Sequence, residues 1–98
     1  MSRFELSKTA LNDLREIWEY VSRDSFETAD RLLDEFYREL DRLAESPKIG
    51  HKRPDLTARN VLFWPIRAYL IIYSTSRPLR VVRILHSKRD IKNLLKPK

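Results

Sequence analysis

The spacing of apolar residues changes once along the chain, and the change divides it into a helical half and a strand half. Residues 9–22 carry apolar side chains three and four positions apart, among them Leu11, Leu14 and Trp18, with charged residues on the opposite side. This spacing is typical of an amphipathic helix. Residues 29–43 repeat it, so the two segments predict an antiparallel helical hairpin. We expect packing on the rest of the fold to bury most of its apolar stripe.

After residue 46 the apolar pattern takes a period of two. The runs VLFWPIRAYLIIYSTS and LRVVRIL are rich in β-branched and aromatic residues, which favour strands. Pro65 cannot donate a hydrogen bond to a central ladder, so the strand at Asn60 to Trp64 is expected at a sheet edge or with a bulge. Strict alternation predicts that Val81, Arg83 and Leu85 share one face of the last strand.

The order of these elements predicts one α+β domain over residues 1–98. A short first strand at residues 4–6 precedes the helices, and a short helical spacing follows the last strand. The expected architecture is an N-terminal helical hairpin packed on a small, mainly antiparallel β-sheet, with a short C-terminal helix.

Capping residues predict where two helices begin. Asp24, with a glutamate three residues later, has the capping-box spacing for the second helix, and Ser87 with Asp90 has it for the last. Lys88 and Arg89 would then lie in the first helical turn, where the helix dipole disfavours each cation by roughly 0.3–1 kcal/mol. Such a placement suggests an anionic partner, although a solvated basic turn is the simpler alternative.

Charge is divided unevenly between the two halves. Residues 1–46 hold 7 Lys and Arg against 12 Asp and Glu, whereas residues 47–98 hold 13 against 2, for a net charge of +6. The split indicates either a basic surface for an acidic protein or nucleic acid, or solvated faces that happen to segregate. Cations with few acids nearby in sequence form a predicted partner-binding basic patch, which comprises Arg80, Arg83, Lys88 and Arg89.

Candidate chemistry is sparse. The chain has no cysteine and one glycine, which excludes disulfides, thiolate metal sites and a glycine-rich phosphate loop. Because there is no apolar run of about 18 residues and no signal-peptide pattern, we expect a cytoplasmic protein without membrane contact. No cofactor, metal or small-molecule ligand is expected. His86, with Arg89 three residues later, is the one candidate for catalysis, and a hydrogen-bonded structural histidine is the alternative interpretation.

The ordered set of motifs resembles the ParE/RelE toxin superfamily of type II toxin–antitoxin systems, over nearly the whole chain. The segments that carry the resemblance are SPKIGHKRPDL after the second helix, YLIIY in the strand half, and the terminal VRILHSKRDIKNLL. An A..DL..I..YV run in the first helix adds to it, comprising Ala10, Asp13, Leu14, Ile17, Tyr20 and Val21. The terminal pattern ILHxxxD followed by a short helix is similar to the ParE branch.

This resemblance implies a cognate antitoxin that binds the toxin, in a heterotetramer or larger complex. ParE-type members are plasmid-stabilisation toxins that inhibit DNA gyrase, whereas RelE-type members cleave messenger RNA on the ribosome. The RelE-type pattern has basic residues where this chain has VLFW, an arginine where Tyr69 is followed by Leu70, and a tyrosine where this chain has NLLKPK. Only Arg89 matches a RelE-type nuclease residue.

We therefore expect a ParE-like, non-enzymatic inhibitor of DNA gyrase. A RelE-like endoribonuclease that uses His86 and Arg89 is the first alternative. A non-enzymatic module that binds nucleic acid through the basic half is the second.

Overall fold

The computed structural model describes residues 3–96, and its elements follow the predicted order. The helices are α1 (Lys8–Ser22), α2 (Phe26–Glu45) and α3 (Ile91–Leu94). The strands are β1 (Phe4–Leu6), β2 (Leu62–Ile66), β3 (Tyr69–Ser74) and β4 (Leu79–His86), and a 3-10 turn, Pro47–Ile49, follows α2. The last two residues of the NLLKPK run lie outside the described range.

The four strands form one mixed sheet in the order β1-β4-β3-β2. β1 runs parallel to β4, and the other two pairings are antiparallel. β2 is an edge strand, as its Pro65 predicts, since an edge position spares proline one ladder hydrogen bond. The helical hairpin, the mainly antiparallel sheet and the short C-terminal helix confirm the α+β architecture. Within residues 3–96, no helix combines the length and the apolar character needed to cross a membrane.

Both faces of the sheet are covered. On one face, α1 and α2 pack on β-strand residues that include Ile71, Tyr73 and Ile84. On the other face, α3 and residues near Val61 pack on Ile72 and Leu85. The central strand β3 therefore alternates between two cores, as a strand covered on both sides must.

A β-bulge in β4 changes which of its residues share a face of the strand. Arg83 pairs with Ile72, but Val81 pairs with the next residue along β3, so Val82 has no partner of its own. The extra residue reverses the alternation. Val81 and Ile84 consequently share the helix-facing core, whereas Leu85 lies in the other core, and the grouping of Val81, Arg83 and Leu85 is wrong.

The predicted caps of two helices are also wrong. Ser25, not Asp24, caps α2, and its hydroxyl accepts a hydrogen bond from the backbone N–H of Thr28. Asp90 is itself the cap of α3 and accepts from the backbone of Asn93. Lys88 and Arg89 thus precede the helix in a turn, here called the basic turn (residues 87–90), and the unfavourable contact with a helix dipole does not arise.

Candidate functional site

A buried ion pair joins α1 to β4. Arg83 donates two hydrogen bonds to the Asp13 carboxylate, from Nε at 2.8 Å and from Nη2 at 3.0 Å. The backbone N–H of Ile84 donates a third, at 3.0 Å. The Asp13 side chain is 7% exposed, and its hydrogen bonds raise the pKa of Arg83 above the usual value. Every buried charge here has a partner, so the pair orients α1 across the bulged strand.

A cavity of about 380 Å³ lies beside this ion pair. We call it the β4 cavity, and its lining residues are Asp13, Glu16, Ile17, Tyr20, Tyr69, Ile84, Leu85, His86 and Arg89. The fold thus brings together the two residues singled out for catalysis, His86 and Arg89. It adds three polar side chains that the sequence did not indicate, those of Glu16, Tyr20 and Tyr69.

His86 stands at the end of β4 with one ring nitrogen engaged. Its Nδ1 accepts a hydrogen bond of 3.1 Å from the backbone N–H of Lys88, which directs the proton of a neutral ring to Nε2. The ring of Tyr69 meets it edge to face, with centroids 5.3 Å apart. Burial raises the pKa of Tyr69, so its hydroxyl stays protonated and available as a donor at neutral pH.

The contents of the β4 cavity include side-chain types that acid–base chemistry requires. His86 can exchange a proton through Nε2, and Arg89 can bind an anion. Tyr69 and Tyr20 could not be assigned to this site from the sequence, because they reach the cavity from different elements. The available signal was helical spacing, since positions 13, 16, 17 and 20 share one face of α1.

The four cations of the predicted basic patch fall into two groups. Arg83 is bound to Asp13, and Arg80 makes an exposed 2.9 Å ion pair with Glu5. Folding therefore supplies the acids that were absent nearby in sequence. Lys88 and Arg89 are exposed and form no ion pair among residues 3–96. That any of the four binds a partner remains a prediction.

Packing buries most of the apolar stripe of the helical hairpin, as expected, but the outer side of the hairpin keeps an apolar groove. The hairpin groove has a volume of about 520 Å³, and its lining residues are Leu11, Leu14, Arg15, Trp18, Leu33 and Tyr37. Leu11 is 55% exposed and Tyr37 is 39% exposed. Ala10 faces the core, and one residue turns a helix by about 100°, so Leu11 is carried away from the core.

Metal chemistry finds no support in the described residues. Among residues 3–96, no three His, Asp or Glu side chains come together as metal ligands would. Each of the two histidines instead contacts an aromatic ring, His51 that of Trp64 and His86 that of Tyr69.

Comparisons with known proteins identify relatives of this fold. A family model described as the ParE toxin of the type II toxin–antitoxin system parDE matches residues 4–91. A solved chain from the chromosomal ParDE toxin–antitoxin system of P. aeruginosa superposes with a TM-score of 0.70 at 17% sequence identity, covering 87% of this chain and 98% of that one. No curated protein matches the sequence.

Proposed function

This chain belongs to the ParE toxin family of type II toxin–antitoxin systems, and on that basis we propose that it is a cytoplasmic inhibitor of DNA gyrase. The match of the family model over residues 4–91 carries the proposal. Inhibition by binding, without a reaction catalysed by the toxin, agrees with the missing RelE-type basic residues in β2 and β3. The proposal includes a cognate antitoxin that blocks the toxin.

Purified DNA gyrase provides the test. Addition of the protein is expected to reduce supercoiling of relaxed plasmid and to increase the fraction of DNA trapped in the cleaved state. His86→Ala is expected to inhibit as well as the parent protein, since inhibition by binding needs no general base. Full supercoiling with no trapped DNA, at a toxin concentration well above that of gyrase, would contradict the proposal.

One observation favours the endoribonuclease as a second candidate. The β4 cavity unites His86, Arg89 and Tyr69, which places a base and an anion-binding cation beside a hydroxyl that can donate a hydrogen bond. Ribosome-dependent cleavage of messenger RNA, mapped by primer extension, would then be lost in His86→Ala. His51→Ala is the matched control, because His51 is the other histidine and does not line the cavity. Equal cleavage by the two variants would exclude this mechanism.

The hairpin groove supports antitoxin binding as part of the proposed function. An apolar depression of about 520 Å³ with half-exposed Leu11 is unusual for a surface that stays in water. An amphipathic antitoxin helix would bury it. Leu11→Glu, which places a charge in the groove, is expected to weaken antitoxin binding at least tenfold in calorimetry. Thr9→Glu, at an exposed position of α1 that does not line the groove, is the control, and equal losses in both variants would exclude the groove.

A further inference from the structure

We propose that the β4 cavity binds one unpaired nucleotide of a single strand, with its base against the aromatic side chains and its phosphate at Arg89. The inference goes beyond gyrase inhibition and antitoxin binding and does not depend on either. It rests on the kinds of side chain that meet in the cavity and on the absence, among the described residues, of a partner for the cation at its rim.

Three aromatic rings line the β4 cavity, two from tyrosines and one from a histidine. Tyr20 is 68% exposed at the end of α1, and the guanidinium of Arg23 lies 6.0 Å from its ring centroid. Tyr69 and His86 contribute two further rings to the same cavity. Aromatic side chains next to cations are the usual surface for single-stranded nucleic acid, because every base offers a π-face for stacking.

The rim of the cavity provides the charge. Arg89 is exposed and makes no ion pair among residues 3–96, so its planar guanidinium is free to take a phosphate through two hydrogen bonds. Asp13 also borders the cavity, but its charge is neutralised by Arg83. The phosphate of a bound nucleotide would therefore supply the negative charge that pairs with Arg89.

Glu16 gives the cavity a preference among bases. One of its oxygens accepts a 3.2 Å hydrogen bond from the Asn12 amide, and an ionised carboxylate can only accept. It can accept from the exocyclic amine of cytosine, adenine or guanine. Thymine and uracil have no exocyclic amine, and their one donor, the ring N3–H, lies between two carbonyl oxygens that repel a carboxylate. A bare phosphate or an acidic peptide would use Arg89 alone and leave the rings and Glu16 without a partner.

Fluorescence anisotropy with labelled pentanucleotides tests the proposal on the full chain. Oligo(dC) is expected to bind more tightly than oligo(dT), and oligo(C) more tightly than oligo(U). Comparison of the DNA and RNA pairs tells whether the strand bound is DNA or RNA. Tyr20→Ala should weaken oligo(dC) binding about fivefold or more, as loss of one stacked base does.

Two matched pairs of variants separate the cavity from general attraction to a basic protein. Arg89→Ala is compared with Lys92→Ala, an exposed cation that does not line this cavity. Glu16→Gln is compared with Glu19→Gln, the same change on the same helix outside the cavity. We expect only Arg89→Ala to lower affinity markedly and only Glu16→Gln to reduce the preference for cytosine over thymine.

These binding measurements test the nucleotide site without DNA gyrase. Equal losses in Arg89→Ala and Lys92→Ala, with no preference for cytosine, would show non-specific electrostatic binding and overturn the proposal. Lack of any binding at low salt would overturn it as well. A failed supercoiling assay with intact nucleotide preference would reject the proposed gyrase inhibition alone, and the converse result would reject the nucleotide site alone. Circular dichroism of each variant confirms that it is folded.

Discussion

At the scale of the residue, Asp13 links the first helix to the last strand through hydrogen bonds. Its carboxylate accepts three hydrogen bonds, all from residues of β4 some seventy positions away in sequence. Removing it would leave a largely buried guanidinium and one backbone N–H without partners. Loss of one member of a buried pair is more damaging than loss of an exposed pair, because the remaining charge stays desolvated.

Asp13→Ala is therefore expected to lower the free energy of unfolding by about 3 kcal/mol, a large part of the total for a chain of this size. Glu5→Ala, which removes the exposed partner of Arg80, should cost less than about 1 kcal/mol. Urea denaturation followed by circular dichroism measures both. Similar losses in the two variants would mean that the Asp13 pair contributes no more than a surface contact.

Gly50 is the one glycine of the chain. It is needed because the Tyr73 side chain lies very close to it, not because its backbone adopts a conformation that favours glycine. Its φ of −70° is open to any residue, but a Cβ there would overlap the hydroxyl of Tyr73. That hydroxyl accepts from the Gly50 N–H at 3.0 Å and donates to the carbonyl of Pro47 at 2.6 Å. Tyr73 is fully buried, so its ring has little room to move.

Gly50→Ala is expected to destabilise the protein by about 1–3 kcal/mol through overpacking. Tyr73→Phe should cost a similar amount, roughly 1–3 kcal/mol, by leaving two partly buried backbone groups unpaired. Since the phenylalanine removes the atom that the new methyl would meet, the double variant should lose at least about 1 kcal/mol less than the sum. Strict additivity in urea denaturation would show that the two residues do not interact.

At the scale of the element, the start of α2 shows that a capping pattern in the sequence does not by itself identify the residue that forms the capping hydrogen bond. Asp24 has the capping-box spacing, yet the hydroxyl of Ser25 makes the bond to the Thr28 backbone, at 3.2 Å. Ser25→Ala is thus expected to reduce stability by about 1 kcal/mol, and Asp24→Ala by a few tenths at most. Thermal unfolding compares them, and a larger loss in Asp24→Ala would restore the sequence-based assignment.

The sequence predicts the elements well wherever periodicity extends over many residues. Both long helices and the alternation in β3 follow from spacing that repeats several times, and the edge position of β2 follows from Pro65. The bulge at Val82 could not be predicted, because one inserted residue in a strand of eight leaves the composition unchanged. The start of α3 was misplaced for a similar reason, since Ser87 and Asp90 are both good caps and only packing chooses between them.

At the scale of the whole molecule, three ion pairs within residues 3–96 join the acidic half of the sequence to the basic half. Arg83 pairs with Asp13, and Arg67 pairs with Glu35 of α2. Long-range pairs of this kind are invisible in local sequence, which explains why Arg83 resembled a free cation. The β4 cavity was only half predicted for the same reason. His86 and Arg89 are neighbours in sequence, but Tyr20 and Tyr69 join them only through the fold.

The cations left exposed at the basic turn should matter for the antitoxin. Lys88→Ala with Arg89→Ala is expected to weaken antitoxin binding about tenfold, or ~1.4 kcal/mol, and to reduce the fall of the association rate with salt. Lys48→Ala with Lys52→Ala removes the same charge from another exposed segment and serves as control. Stopped-flow and calorimetric data that show equal effects in both pairs would remove the basic turn from the antitoxin interface.

The parallel pairing of β1 with β4 also determines when the sheet can be completed as the chain is synthesised. The first strand made cannot join the sheet until the last one has emerged from the ribosome, because residues 4–6 pair with residues 79–81. At roughly 5–20 residues per second, translation from the end of α2 to the end of β4 takes about 2–8 s. Until β4 is made, the nascent hairpin lacks the complete sheet that covers its apolar side. Because Arg89 follows β4 in the chain, the β4 cavity is completed only after the last strand has been made.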